Sequence, residues 1–520
     1  MRTNAVLARA LRVLLVVFVG LTAASLPWRS VQAQPIGASD DSGFGFAYGF
    51  ATFSGADTAD VRGSIASLVA LPDGGVLAGG SCKFPPDYTV YWACLYRWRA
   101  SDYNNLPDPT FGINGVSYVM ANATGAKIVR RKDGRIWVVA LCAQETGGDW
   151  CTAMVNANGI GFDTSYGSGG VSVVPRPSGY GVMRIRDIAL QPDGKLLIAG
   201  TCAISAGPAS NASFCATRLT ANGAFDSTFG VGNWLTTIPG PGDDAHKLTL
   251  LSDGGFYLTG GCGLSPSVIC NLRYTANGAY VSSVASNWGS NLSERVHDVR
   301  ERAGKVTIAG VDSDSGLMHA SRYTWASAAS DPTFGGIYPA TGMAGNVSID
   351  FSHPGHATAA KILRDGSIFF HGDCNNGAAL CTARFTANGL LDATYGVSGR
   401  YETAQATPFA PAFIFPAELS VIEETADGHV LVGGSCWDGT TRPCVRRYLG
   451  GPNTAKVCTM DIDGDGVVNP TTDGLLLARI SLGLKGSAAL AGAIAPGATR
   501  TTWTQVRDYL FNECNMPVAP

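Results

Sequence analysis

The dipeptide Asp-Gly returns about every sixty residues. It stands at Asp73-Gly, Asp133-Gly, Asp193-Gly and Asp253-Gly, then as a degenerate Ala303-Gly, and again at Asp365-Gly and Asp427-Gly, seven copies in all. Between apolar runs this dipeptide is a strong hairpin signal, because both residues tolerate positive φ. Each copy is followed by a β-rich run such as Ile136-Trp-Val-Val-Ala or Val430-Leu-Val-Gly-Gly. Such a period is read before domains are counted by length, since a repeated unit buries its apolar faces only against its neighbours.

Two further landmarks keep the same period. The units close on Asp108-Pro-Thr-Phe-Gly112, Asp163-Thr-Ser-Tyr-Gly167, Asp226-Ser-Thr-Phe-Gly230, Asp331-Pro-Thr-Phe-Gly335 and Asp392-Ala-Thr-Tyr-Gly396, with Asn287-Trp-Gly289 as an eroded member. An Asn-Gly turn precedes the closing element at Asn158, Asn222, Asn277 and Asn388. Each unit, of which Gln191 to Gly230 is the clearest, holds about four short strands, the size of one propeller blade of roughly 40–60 residues. The abundance of glycine (66 residues) and the low charged fraction (15%) suit short strands and tight turns. The expected fold is mainly β, a seven-bladed propeller with a small α-helical module after it. The last unit ends at Tyr448-Leu-Gly-Gly without a closing element, while Gly43-Phe-Gly-Phe-Ala-Tyr-Gly49 stands before the first unit. The N-terminal segment is therefore expected to close the ring by joining the last blade. An open β-solenoid is the alternative, and it predicts capping elements at the ends.

These units resemble the delta-60 repeats of secreted bacterial proteins, named for this period and for their Asp-x-Ser/Thr-Phe-Gly endings. The resemblance spans roughly Phe44 to Leu449. It implies a propeller-like array and no established activity.

The fourteen cysteines fall in local pairs, as expected of disulfides in an oxidising compartment. Six units place one at the end of the third strand and one at the start of the fourth. The pairs are Cys82 with Cys94, Cys142 with Cys151, Cys202 with Cys215, Cys262 with Cys270, Cys374 with Cys381 and Cys436 with Cys444. The repeat register sets the two opposite one another across a hairpin. In the fifth unit Asp312 and His319 occupy these positions, as a polar site or as a cross-strand charge pair replacing the bridge. An arginine recurs three residues after the second cysteine (Arg97, Arg218, Arg273, Arg384, Arg447, with Arg322 matching), which reads as a structural partner for the closing Asp. The bridged loops carry Phe84, Tyr88, Tyr91, Trp92, Trp150, Phe214 and Trp437, and Tyr88, Trp92, Trp150, Phe214 and Trp437 are the candidate binding rim. Ordinary surface exposure is the other reading of these aromatics.

After Gly450 the pattern changes. Asp461-Ile-Asp463-Gly-Asp465-Gly466-Val467-Val-Asn469-Pro-Thr-Thr-Asp473 sets three carboxylates at alternate positions with a glycine for the sharp turn, as in an EF-hand calcium loop. The expected calcium ligands are Asp461, Asp463, Asp465, the Val467 carbonyl, Asn469 and Asp473; an acidic turn without metal is the alternative. All are hard oxygen donors, which suit calcium better than zinc. Loop and leucine-rich sequel resemble a dockerin repeat, although the closing acid sits one position late and a second calcium loop is missing. Cys458 and Cys514 bracket this module and are expected to bridge.

At the N-terminus, Arg2, Arg9 and Arg12 precede the apolar run Val13 to Ala24, and Val31-Gln-Ala33 supplies small residues for cleavage. Three regions follow: a signal peptide over 1–33, a propeller over 34–450 and the calcium module over 451–520. The mature chain, without a transmembrane segment, is expected to be secreted and monomeric. A formal net charge of −3 argues against nucleic-acid binding through bulk electrostatics. No Gly-x-Ser-x-Gly, His-Glu-x-x-His or nucleotide-binding loop occurs, and His246, His297, His353, His356 and His371 lack a metal-ligand spacing. The sequence thus points to a binding or scaffold protein whose partner is a protein or a polysaccharide. The alternative is a carbohydrate-active hydrolase or lyase with its site at the propeller axis.

Overall fold

A computed structural model describes residues 50–520 apart from 53–60, 85–87, 100–106, 143–147, 205–211, 238–243, 263–267, 288–293, 313–315, 336–344, 352–354, 375–378, 405–411, 414–420, 438–440, 451–457, 515, 517, 519 and 520. The expected signal peptide lies outside the described residues.

Seven antiparallel sheets follow one another along the chain. The third is representative: Val182–Leu190, Leu196–Ala203, Ala212–Leu219 and Trp234–Thr237 pair in that order. The seventh contains Val421–Glu424, Val430–Trp437 and Thr441–Tyr448, and its outer strand is Phe50–Thr52, which pairs Phe50 with Arg446 and Thr52 with Cys444. The chain is a seven-bladed β-propeller.

The repeat read from sequence is one strand out of phase with the blades. The Asp-Gly turn joins the first strand to the second, and the cysteines end the second strand and begin the third. The turn chemistry differs as well. In the third blade the Gly194 N–H donates to Gln191 O at 2.9 Å and only Gly194 has positive φ, while the Asp193 carboxylate accepts from the Lys195 N–H at 3.1 Å. The degenerate copy is the one turn with both residues at positive φ, Ala303 at 49° and Gly304 at 72°, closing a tight hairpin in which Arg302 pairs Lys305.

Both faces of a blade are covered by its neighbours, so the middle strands are buried throughout rather than alternately; Ala212–Leu219 has no exposed residue. One interface shows the packing: Trp137, Trp150 and Tyr166 of the second blade meet Met183, Ile188 and Ile198 of the third.

The two sequence landmarks meet between blades. The Gly230 N–H, ending Asp-Ser-Thr-Phe-Gly, donates to Asn277 O of the next blade at 3.0 Å, and Gly112–Asn158, Gly167–Asn222 and Gly335–Asn388 repeat this at 2.8, 2.9 and 2.7 Å. The recurrent arginine holds the closing Asp: Arg97–Asp108, Arg218–Asp226, Arg322–Asp331 and Arg384–Asp392 stand 3.1, 2.8, 2.7 and 3.0 Å apart. In the second blade Arg135 takes Asp163, and in the fourth, where the closing Asp is eroded, Arg273 pairs Asp253 at 2.7 Å.

All seven cysteine pairs are bonded: Cys82 to Cys94, Cys142 to Cys151, Cys202 to Cys215, Cys262 to Cys270, Cys374 to Cys381, Cys436 to Cys444 and Cys458 to Cys514. Their placement corrects the sequence reading in two respects. Cys94, Cys151, Cys215, Cys270, Cys381 and Cys444 lie in the third strand of their blades, not at the start of a fourth. Nor does any of them face its bonded partner across the hairpin. Cys94 is opposite Gly80, Cys151 opposite Ala140 and Cys270 opposite Gly260. Likewise Cys215 is opposite Gly200, Cys381 opposite Gly372 and Cys444 opposite Gly434. The bridges therefore run diagonally. The small facing residue leaves the space that the diagonal needs, and the bridged Cα atoms stand 5.9, 5.8 and 5.8 Å apart for Cys94, Cys151 and Cys270, well within bonding reach.

In the fifth blade Gly310 faces His319 as Gly200 faces Cys215, so Asp312 and His319 do fill the cysteine positions. Both are buried, and burial pushes His319 down to about 4 against the opposing pull of Asp312. Burial thus favours the neutral imidazole, which fits a polar pair, the first of the two expectations, over a cross-strand charge pair.

Beyond the propeller the described residues contain three short helices, Asp473–Ser481, Ser487–Leu490 and Trp503–Asn512, tied by Cys458–Cys514. Among the described residues no helix is long and apolar enough to cross a membrane.

Candidate functional site

The first strands of all seven blades line an axial channel of about 1100 Å³. Six of them carry a bulge at the same level, for example between Ile185 and Asp187 and between Val296 and Asp298. A bulge shifts the side-chain alternation and turns polar residues inward. From the second blade to the seventh the charges alternate around the axis: Lys127, Asp187, Lys247, Asp298, Lys361, Glu423.

These first strands are stitched to one another by the ring's side chains. Asp187 accepts from the Leu248 N–H at 3.2 Å and pairs Lys247 at 2.8 Å, and Asp298 accepts from the Ile362 N–H at 3.0 Å. Lys361 lies 3.4 Å from Glu423 and 4.0 Å from Asp298. Burial opposes the charges of Asp187 and Lys247, but the neighbours decide the outcome. Asp187 stays below the usual carboxylate range through Lys247 and Lys127, and Lys247 is raised by Asp187 and Asp298. Lys127 is the exception. Burial lowers it, and Asp187 does not compensate.

The channel's two mouths differ. The first strands begin beside the disulfides, as Met183 opposite Cys202 shows, so one mouth opens on the bridged rim. Arg186, His246 and His297 are the bulge residues of their strands and line the channel between this mouth and the charged ring. Arg186 holds Asp244 bidentately, Nε to Oδ1 at 3.2 Å and Nη2 to Oδ2 at 2.7 Å, and the Val296 N–H donates to His246 Nδ1 at 3.2 Å. Sequence spacing gave no link between His246 and His297; the ring geometry brings them together.

The other mouth is covered by the helix Trp503–Asn512, whose Thr504, Arg507, Asp508 and Phe511 line the channel. Ser252 bonds Asp508, Arg300 donates to the Asn512 carbonyl, and Arg302 pairs Glu513. A capping box of Thr502 and Gln505 starts this helix. The acidic loop holds its other side: Tyr509 Oη donates to Thr459 O at 2.7 Å, and Arg500 donates to Ile462 O at 2.8 Å and lies over the Tyr509 ring at 3.9 Å.

In that loop, carboxylate oxygens of Asp461, Asp463 and Asp473 lie within 4.8 Å of one another. Asp463 and Asp473 are 0% and 2% exposed, and the Arg500 guanidinium reaches only 4.0 Å from Asp461. Backbone N–H groups point inward: Gly464 and Gly466 donate to Asp461 at 2.7 and 3.0 Å, Ala495 to Asp463 at 2.8 Å and Asn469 to Asp473 at 2.8 Å. Burial raises Asp473, yet the backbone N–H groups of Asn469, Asp463 and Ile462 carry it below its ordinary value. Asp465 stands outside the triad and accepts from the Val467 N–H at 2.7 Å, while Asn469 accepts from the Thr471 N–H at 2.9 Å. Three hard-oxygen acids so close together fit a calcium ion.

The aromatic rim needs correction. Trp150 and Phe214 are 0% exposed, packed between blades, because the residue before the second bridged cysteine faces a neighbouring sheet. Trp92 is half-buried against Phe84 and Tyr118, while Tyr88 and Tyr91 remain partly exposed under Arg62 and Lys83. The side chain of Trp437 lies outside the described residues. The charged ring was missed, although Lys127, Asp187 and Lys247 recur sixty residues apart.

Residues 191–229 match the family described as "Domain of unknown function (DUF5122) beta-propeller". No curated protein matches the chain in sequence. Among solved structures, a protein of unknown function from Dyadobacter fermentans is similar at a TM-score of 0.38 and 10% identity, over 63% of this chain and 94% of that one. Prolyl oligopeptidase B from Galerina marginata gives a TM-score of 0.38 and 10% identity, over 72% of this chain and 46% of the enzyme. A protein of unknown function from Bacteroides caccae gives 0.32 and 10%, over 66% and 94%. The repeat match and the seven blades make this a propeller repeat protein.

Proposed function

We propose that this chain is an exported binding protein that takes its ligand, a polysaccharide or partner protein, at the axial channel. A bound calcium ion organises the module covering the far mouth. The observation that carries the reading is the channel itself, a polar cavity lined by every blade and covered at one end by the helix Trp503–Asn512. The delta-60 resemblance, the signal-like N-terminus and the disulfide ladder favour export with cleavage near Ala33. Calcium would be held by Asp461, Asp463 and Asp473, with Asp465, Asn469 and the Val467 carbonyl near by. It supplies the positive charge that buried acids lack, and through Tyr509 and Arg500 it steadies the covering helix. The ring acids are each engaged by a lysine or a backbone N–H, which supports binding over acid–base chemistry.

A glycan array probed with the calcium-loaded full chain tests this. Retention without release of reducing ends is expected, with loss of retention in EDTA. Release of reducing ends that stops in Asp187→Asn or Asp298→Asn would replace the reading with that of a carbohydrate-active enzyme. Absence of retention on every glycan would turn the reading to a protein partner.

A further inference from the structure

On the bridged side of the channel the charges are not fully matched. Arg186 is taken by Asp244 and Lys247 by Asp187, while Asp298 serves the Ile362 N–H and Lys361. Lys127 is left with one acceptor, the carbonyl of Ala66 at 2.7 Å, and among the described residues no carboxylate lies within 4.0 Å of its ammonium. An ammonium has three N–H donors, so two of them are left to the channel. Across the axis, the Nε2 of His297 is buried without a hydrogen-bond partner among the described residues. The charged groups felt by that imidazole include His246, Arg295, Lys247 and Lys127, all cationic or able to become so. Buried donors facing a polar cavity, in a field of one sign, are what an anion needs.

We propose that the channel between the bridged rim and the charged ring is an anion site, in which Lys127 and His297 hold a carboxylate or phosphate group of the ligand. The site rests on the channel being the place of binding. It adds the chemical class: the anion supplies the counter-charge that Lys127 lacks and accepts from the free donors. A neutral ligand would leave both groups as they are. The covered far mouth limits the ligand to one that enters from the rim.

The calcium-loaded full chain, at low ionic strength, is titrated calorimetrically with citrate, with inorganic phosphate and with neutral maltotriose. Saturable binding of citrate or phosphate is expected, weakening with added salt and falling about tenfold or more in Lys127→Met. Lys127→Arg, which keeps the charge, should retain most of it. The preference between citrate and phosphate identifies the group that is held. Should Lys127→Met fail to melt cooperatively, His297→Gln takes its place with a severalfold loss expected. Absence of binding by both anions, or binding unchanged in these variants, overturns the anion site. Maltotriose binding in that event would leave the channel as a binding site and remove only its anionic character.

Discussion

The N–H of Gly230 donates to the carbonyl of Asn277 across the joint between the third and fourth blades, at 3.0 Å. Arg218 reinforces the same joint, donating to Asn277 Oδ1 at 2.8 Å while it holds Asp226. Because the bond recurs at four joints, the closing element of one blade and the Asn-Gly turn of the next form a clasp passed around the ring. Its glycines are constrained twice. Gly223 has φ of 86°, and a Cβ there would stand 2.6 Å from the ring of Tyr166.

Gly223→Ala is therefore expected to cost about 2–4 kcal/mol, from the strained backbone and the displaced ring together. Gly232→Ala, also at positive φ but with nothing within 4 Å, separates the two causes and should cost about 1–2 kcal/mol. Denaturant midpoints check both. Equal losses would remove the ring contact from the account.

Reduction should lower the melting temperature sharply, since each bridge within a blade closes a short loop worth about 2–3 kcal/mol. The fifth blade offers the converse. Asp312→Cys combined with His319→Cys is expected to form a further bridge and to stabilise by a similar amount, given the shared register. A thiol assay showing both new cysteines free would refute the equivalence of the positions.

Acid should weaken the fold before its carboxylates titrate. Burial pushes His297 and His371 down to about 3 and His319 down to about 4. An unfolded chain takes up protons near pH 6.5 that the folded chain refuses, so stability falls as pH drops from 6.5 towards 4, by about 1.4 kcal/mol per unit for each such histidine. His371→Gln should make the slope of stability against pH shallower by about a third over that window. An unchanged slope would mean that this imidazole is protonated in the folded state.

The blade count was legible because Asp-Gly, Asn-Gly and Asp-x-Thr-Phe-Gly are backbone requirements, and backbone requirements survive when side chains drift. The pairing of Arg218 with Asp226 was legible for the same reason, as two repeated residues that need each other. Which cysteines pair was legible from their spacing, but not the diagonal from Cys82 to Cys94, because spacing does not say which residue faces which across a hairpin. An axial site was anticipated, but the charged lining of the channel was not legible. Which residues face the axis depends on a bulge that no particular side chain announces, so nothing set Lys127 and Asp187 apart from other strand charges such as Arg184. Trp150 and Phe214 misled in the opposite sense: an aromatic beside a loop is taken as exposed, yet a blade has a neighbour on either face. In the C-terminal module the alternating acids identified the loop, while its attachment over the axis depends on Arg300 and Arg302, some two hundred residues away in sequence.

Arg302→Ala should loosen that attachment by removing the partner of the buried Glu513. Faster amide exchange confined to the helix Trp503–Asn512 is expected, with the blades unaffected. Exchange unchanged in the helix would show that the ion pair does not hold it in place.

The most direct test is a calorimetric titration of calcium into the chelator-stripped full chain, compared with Asp463→Ala. The account predicts one saturable site that is lost in the variant, and slower amide exchange in the helix Trp503–Asn512 when calcium is bound. No binding heat from the wild-type chain, or an isotherm unchanged by Asp463→Ala, would contradict a calcium-organised cover on the axial channel.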